Sequence, residues 1–376
     1  MFSSRATRTP AFVAGLVWAA SALLWAGCSG GGSTGGSTSD PRNRPPNSAN
    51  LNCSLPPDRI MDGGTARDGI PSLLDPVMVA KDDPEADYML DTDRVIGFHL
   101  DGQWMAIPHN ILWWHEIVNL TTGTGARIAA TYCPLTGSSM LFDLRSPGVS
   151  RFIVSGLLFN NNLMMLDKDS ESLWPQMFAQ ARCGAKDGVF LPMLPSIEMR
   201  WGAWKQLHPE TLIVSGNTGF SRDYTLYPYG LYEDLDAPPL FDMPLNDRRR
   251  RTKERLLGIP FNDGGMAFPY LELQEQGPTG VAQAVVGGQT LVVFWDEQAY
   301  GAMAYLRSAN GLVLDFKAQN GTIVDVQTGS TWRIDGLAIA GPMAGTQLRA
   351  IDNAFVSFWF SWSAFHPQTE IWTNGS

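Results

Sequence analysis

The chain has 376 residues, 44% of them hydrophobic and 17% charged, long enough for two modest domains or one duplicated one. Its formal net charge of -10 argues against nucleic acid as a partner, and loss of a leader holding Arg5 and Arg8 would make it more acidic still.

Residues 1–28 read as an address rather than as part of the fold. Arg5 and Arg8 give a positive start, the apolar run from Ala11 to Trp25 is too short to span a bilayer comfortably, and Ala26-Gly27-Cys28 is a small-residue cleavage site. The pattern resembles a bacterial lipoprotein signal, which implies that Cys28 is lipidated and becomes the mature N-terminus. An ordinary secretory signal with an incidental Cys28 is the alternative. Ser29 stands where an aspartate would direct inner-membrane retention, so the resemblance implies an outer-membrane anchor facing the periplasm. Residues 29–67 are expected to be a flexible tether, since Gly, Ser, Thr, Pro and Asn dominate up to Asn50 with no apolar period. No later apolar run approaches the length of a spanning helix, which leaves the lipid on Cys28 as the expected membrane contact.

Cys53, Cys133 and Cys183 remain in an oxidising compartment, so the simplest arithmetic is one disulfide and one free thiol. Cys53 with Cys183 is preferred because it leaves unpaired the cysteine that lies inside a motif. A disulfide that includes Cys133 is the alternative.

Arg94 to Leu100 and Gln103 to Ile107 read as strands around Asp101-Gly102, a strong two-residue hairpin signal. Pro108 then opens a helix on which Ile111, Leu112, His115 and Val118 share one face, so His115 should look inward. Ala126 to Tyr132 reads as a buried strand that delivers Cys133 to its end, with Pro134-Leu135-Thr136-Gly137 as a turn into a strand from Ser138 to Leu144. Arg151 to Leu158 and Leu163 to Asp167 are strands around Asn160-Asn161-Asn162, and Met199 to Leu207 is a helix stopped at His208-Pro209. Pro238 to Pro244 reads as a linker. The basic cluster after it, Arg248 to Arg251, Lys253 and Arg255, reads as a solvated linker or helix face, with anionic lipid headgroups as the alternative partner.

A sparse pattern recurs about 160 residues on. Val95-Ile96-Gly97 and Met105-Ala106-Ile107-Pro108 return as Leu256-Leu257-Gly258 and Met266-Ala267-Phe268-Pro269, Asp167…Ser172-Leu173-Trp174 as Asp325…Ser330-Thr331-Trp332, and Trp204…His208-Pro209…Thr211 as Trp362…His366-Pro367…Thr369. The order is kept, which predicts an α+β, β-rich fold of two tandem copies of one duplicated unit with short helices, 68–245 and 246–376. Features in both copies are read as architecture: His208 and His366 as capping or packing groups, Trp174 and Trp332 as core anchors. Only the first copy holds Trp114-His115-Glu116 and Thr131-Tyr132-Cys133, so one site is expected, in that copy, with the second degenerate.

Asp68-Gly69-Ile70-Pro71, Trp114-His115-Glu116-Ile117-Val118-Asn119, Thr131-Tyr132-Cys133-Pro134-Leu135, Ser155-Gly156-Leu157-Leu158, Ser172-Leu173-Trp174 and His208-Pro209-Glu210-Thr211 together resemble the bacterial and archaeal family called domain of unknown function 3179. The resemblance runs from about Asp68 over nearly all of the remaining chain and implies no activity. Relatives often carry a second cysteine three residues after the first; Thr136 takes that place here, which counts against a dithiol redox centre.

A thiolate is both a nucleophile and a soft metal ligand, and an imidazole can take its proton or share the metal. The first expectation is therefore a cysteine-dependent enzyme, with Cys133 as nucleophile, His115 as base, Glu116 orienting the ring or acting as a further acid or base, and the amides after Pro134 as oxyanion donors. A copper or zinc protein using Cys133 and His115, with Glu116 or His109, is the second reading. The third is a non-catalytic binding or structural lipoprotein with an apolar groove, whose small-molecule or envelope partner the sequence does not name. Against the first two stands the ordinary role of a strand-end cysteine and an inward histidine as core residues.

Overall fold

Asp101 and Gly102 both take positive φ, 52° and 79°, the backbone a two-residue hairpin between twisted strands requires. They close strands Arg94–Leu100 and Gln103–Pro108 in register from Val95↔Pro108 to Leu100↔Gln103. The computed structural model describes residues 52–375, apart from 244 and 263, so the expected signal peptide and Cys28 lie outside the described residues. Within them the chain is β-rich, with four short α-helices: α1 (His109–His115), α2 (Trp201–Leu207), α3 (Tyr270–Gln274) and α4 (Trp359–Phe365).

Two helix expectations need correction. Helix α1 stops at Glu116, whose φ of 57° takes it out of the helical region. Val118, expected on the helix face, instead lies in the strand Ile117–Thr121, where β-branched residues pair with Arg127–Cys133 in register from Ile117↔Thr131. Met199 likewise belongs to a strand, Ile197–Arg200, paired with Arg94–Gly97, and α2 begins only at Trp201. The span expected to be tether, 29–67, is also structured towards its end. Cys53 is bonded to Cys183, and Ile60–Asp62 pairs with Leu157–Phe159, which holds these residues against the fold.

The same local arrangement is built in each half. Leu212–Val214 runs parallel to Gln103–Pro108 through Leu212↔Met105, and Glu370–Ile371 runs parallel to Gly264–Pro269 through Glu370↔Met266. The Trp204 indole N–H donates to Thr211 Oγ1 at 2.9 Å, and that of Trp362 to Thr369 Oγ1 at 2.9 Å. Glycine is needed beneath each ring, since a Cβ at Gly97 would lie 2.4 Å from Trp204 and one at Gly258 2.3 Å from Trp362.

The halves are joined through their sheets. An eight-stranded sheet runs in the order 73–74, 117–121, 127–133, 138–143, 355–358, 255–261, 264–269, 370–371, crossing from first-half to second-half strands at Val356↔Ser139. At the other seam, Arg200 N–H donates to Ala299 O at 2.8 Å, bringing Ile197–Arg200 beside the Gly301–Leu306 strand. Much of the core lies along these seams: one cluster of buried side chains joins Phe142, Phe152 and Trp174 to Trp359, Trp362 and Phe365.

Candidate functional site

Strand Arg127–Cys133 alternates its side chains, sending Thr131 and Cys133 to one face and Tyr132 to the other. Cys133 ends the strand, pairs with Ser138 across the turn and is fully buried. Its sulfur accepts the Leu163 N–H at 3.4 Å and lies 3.7 Å from the Asn161 carbonyl. Both contacts come from the next hairpin, whose turn residues Asn160 and Asn161 take φ of 50° and 63°, a backbone asparagine tolerates better than most residues. Asn162 fixes the hairpin to the cysteine turn: its amide donates to Thr136 Oγ1 at 3.0 Å, Ser138 Oγ at 3.1 Å and Gln176 Oε1 at 2.8 Å. Thr136, standing where relatives by resemblance carry cysteine, is thus a buried hydrogen-bonding residue. Burial, with the Glu116 carboxyl next in importance, pushes the Cys133 thiol up to about 11, so at neutral pH it is protonated.

Glu116 is buried too, and desolvation raises its carboxyl to about 8. His115 is placed apart from the sulfur. Its Nδ1 donates to the Pro71 carbonyl at 2.7 Å, which leaves Nε2 to accept the Tyr224 hydroxyl at 2.8 Å. Tyr224 belongs to the core cluster of Tyr132 and Val118, whereas Cys133 belongs to that of Phe142 and Trp174. His109 is engaged elsewhere again, 3.2 Å from Ser139 Oγ and 3.6 Å from Glu198 Oε2. The expected thiol–imidazole pair is therefore not assembled. Among the described residues no group of three or more His, Cys, Asp or Glu is arranged to hold a metal.

The structure brings other groups to the cysteine turn. Tyr232, just ahead of the segment read as a linker, donates its hydroxyl to the Leu135 carbonyl at 2.9 Å and accepts the N–H of Leu240 within that segment at 3.3 Å. Asn161 clasps the same segment through Phe241, accepting its N–H at 2.9 Å and donating to its carbonyl at 3.0 Å. Lys253 is buried beneath it, with Nζ 2.9 Å from the Tyr232 ring centroid and 5.2 and 5.3 Å from those of Phe358 and Phe360. Nζ has no hydrogen-bond partner among the described residues, and burial draws the amine down to about 7 against the opposing pull of Glu233 and Cys133. Sequence reading missed Lys253 because it sits in the basic cluster. Other members of that cluster form ion pairs, Arg249 with Asp247, Arg250 with Glu254 and Glu272, Arg251 with Asp236. Arg255 is buried on Glu233 and Glu198.

Around the cysteine turn the β-rich fold thus gathers a lone buried thiol, a neutral carboxyl and a desolvated amine under a tyrosine strap. The family described as "Protein of unknown function (DUF3179)" matches residues 67–369, and the chain belongs to it. No curated protein and no solved structure matches the chain.

Proposed function

We propose that this is an envelope lipoprotein, anchored through Cys28 and facing the periplasm, whose thiol-dependent catalytic site is built on the cysteine turn of the first half and completed by Lys253 of the second. Cys133 supplies the nucleophile, and Lys253 with Glu116 supplies its proton chemistry in place of His115. The observation that carries the reading is the Lys253 amine, buried beside the turn that holds Cys133 and without a hydrogen-bond partner among the described residues. An amine that titrates near 7 is half neutral in a neutral periplasm, so its lone pair can accept the thiol proton as the sulfur bonds to a substrate, whereas an ordinary lysine is protonated there. A carboxyl raised to about 8 still holds its own proton there and can give it to a leaving group, while the thiol proton stays on Lys253. The shared parallel pairings, indole–threonine bonds and glycine–tryptophan contacts support descent of 68–245 and 246–376 from one duplicated unit, with the cysteine turn found only in the first and Lys253 contributed by the second.

Alkylation tests the site. Iodoacetamide should modify Cys133 in the native protein with a rate that rises through about pH 7, and Lys253→Met should move that rise towards the pH at which the buried thiol ionises unaided. If native Cys133 resists up to pH 9 and labels only in urea, the thiol is a core side chain and the catalytic reading fails.

A further inference from the structure

The two seams between the halves are built alike, and each opens into a groove. The register of the equivalence is fixed by matching bridges: Leu337↔Gln347 and Tyr305↔Ala350 at the first seam, where Ile197–Arg200 lies beside Gly301–Leu306, and Gln180↔Phe190 and Phe142↔Met193 at the second, where Ser138–Asp143 meets Phe355–Phe358. In that register Phe178 corresponds to Asp335. In the hairpins, His99↔Trp104 corresponds to Pro260↔Gly265, so Gly265 holds the position of Trp104.

These two replacements change what surrounds an otherwise equivalent histidine. At the first seam the Trp104 ring stacks on His208 at 3.5 Å, and the Asp335 carboxylate lies 3.6 Å from Nε2; the groove there is about 450 Å3. At the second seam neither group exists. His366 is only 7% exposed, its Nε2 has no hydrogen-bond partner among the described residues, and it lies on the wall of a groove of about 830 Å3. That volume lies within the usual range for small-molecule sites. Burial keeps the imidazole neutral, and its bond to the Gly264 backbone favours the charged form, so Nδ1–H donates to that carbonyl. Nε2 is then a lone-pair acceptor. A buried acceptor without a partner costs free energy that a ligand's donor would recover. Part of the wall is aromatic: Phe178 and Phe365 meet at 4.8 Å between centroids, and Phe355 and Met177 also line the groove, while Arg182, 5.0 Å from the Phe178 ring centroid, and Asp352 add charge to the rest.

We propose that the second seam groove binds a small aromatic molecule bearing a hydroxyl or N–H donor, its ring against Phe178 and Phe365 and its donor on Nε2 of His366. The site is separate from the thiol centre, so failure of either reading leaves the other standing. Titration calorimetry of the leaderless chain with 2-naphthol and with its methyl ether, which has the same ring and no donor, tests it. The naphthol should bind about fivefold more tightly, the size expected of one neutral hydrogen bond. His366→Phe should remove that preference while holding the ether's affinity within about twofold. In the wild-type protein the His366 Nε2 nitrogen resonance should shift with the naphthol and not with the ether, a readout that holds even if the variant fails to fold. Absence of binding by either probe, equal binding of both, or a preference that survives His366→Phe overturns the proposal.

Discussion

Glu116 shows how one residue's environment inverts its usual contribution. Its carboxyl keeps its proton to about pH 8 in the fold but releases it near 4 in the unfolded chain, so the folded state binds more protons between those values. Its contribution to stability is therefore complete below about pH 4 and is lost as pH rises towards 8. Each tenfold change in proton affinity is about 1.4 kcal/mol, so wild type should lose on the order of 3 kcal/mol relative to Glu116→Gln between pH 5 and 8. Urea denaturation of the two proteins across that range measures it, and parallel curves would mean the carboxyl is solvated. His109 and His366 act with the opposite sign: burial first lowers both to about 4, so their contribution is lost as pH falls from about 6.5 to 4. Taking the difference between wild type and Glu116→Gln removes these common terms.

At the scale of the element, the pairing of a helix tryptophan with a strand glycine explains motifs that neither residue explains alone. Helices α2 and α4 each lay an indole on the hairpin strand beneath, tether it to a threonine and leave no room for a methyl group. Gly258→Ala should cost about 1–3 kcal/mol through overpacking, read as a lowered urea midpoint. Gly123→Ala, where nothing lies within 4 Å, is the control and should stay within about 0.5 kcal/mol. Equal midpoints for the two variants would show that Trp362 can retreat without loss.

The whole molecule is held across its seams by buried charge as well as apolar packing. Glu198, on a first-half strand, accepts from Arg94 Nε at 2.6 Å and lies 3.4 Å from Arg255 of the second half, which also pairs with Glu233 at 2.5 Å. Burial opposes ionisation of Glu198, but Arg94, His109 and Arg255 outweigh it and hold the carboxyl at about 2. Glu198→Gln leaves two buried guanidiniums short of a counter-charge and should cost about 3–5 kcal/mol. Because one sheet crosses the boundary, calorimetry should still show a single transition; two separated transitions would mean the halves fold independently.

Local signals determined much of this. Asp101-Gly102 and the asparagine run specify turns through backbone conformations few other residues accept, and the order of repeated motifs marked Gly97, Gly258, Trp204 and Trp362 as paired architecture. An odd cysteine count with Cys133 inside a motif was enough to prefer the observed Cys53–Cys183 bond. Periodicity failed where a short apolar run fits either element: Ile117-Val118 could extend a helix until strand Arg127–Cys133 offered them partners. The candidate site was legible only at Cys133 and Glu116. That His115 is taken by Pro71 and Tyr224 while Lys253 lies under Tyr232 depends on contacts between residues more than 20 positions apart, and burial, which sets the proton affinities of Glu116 and Lys253, exists only once those contacts are made.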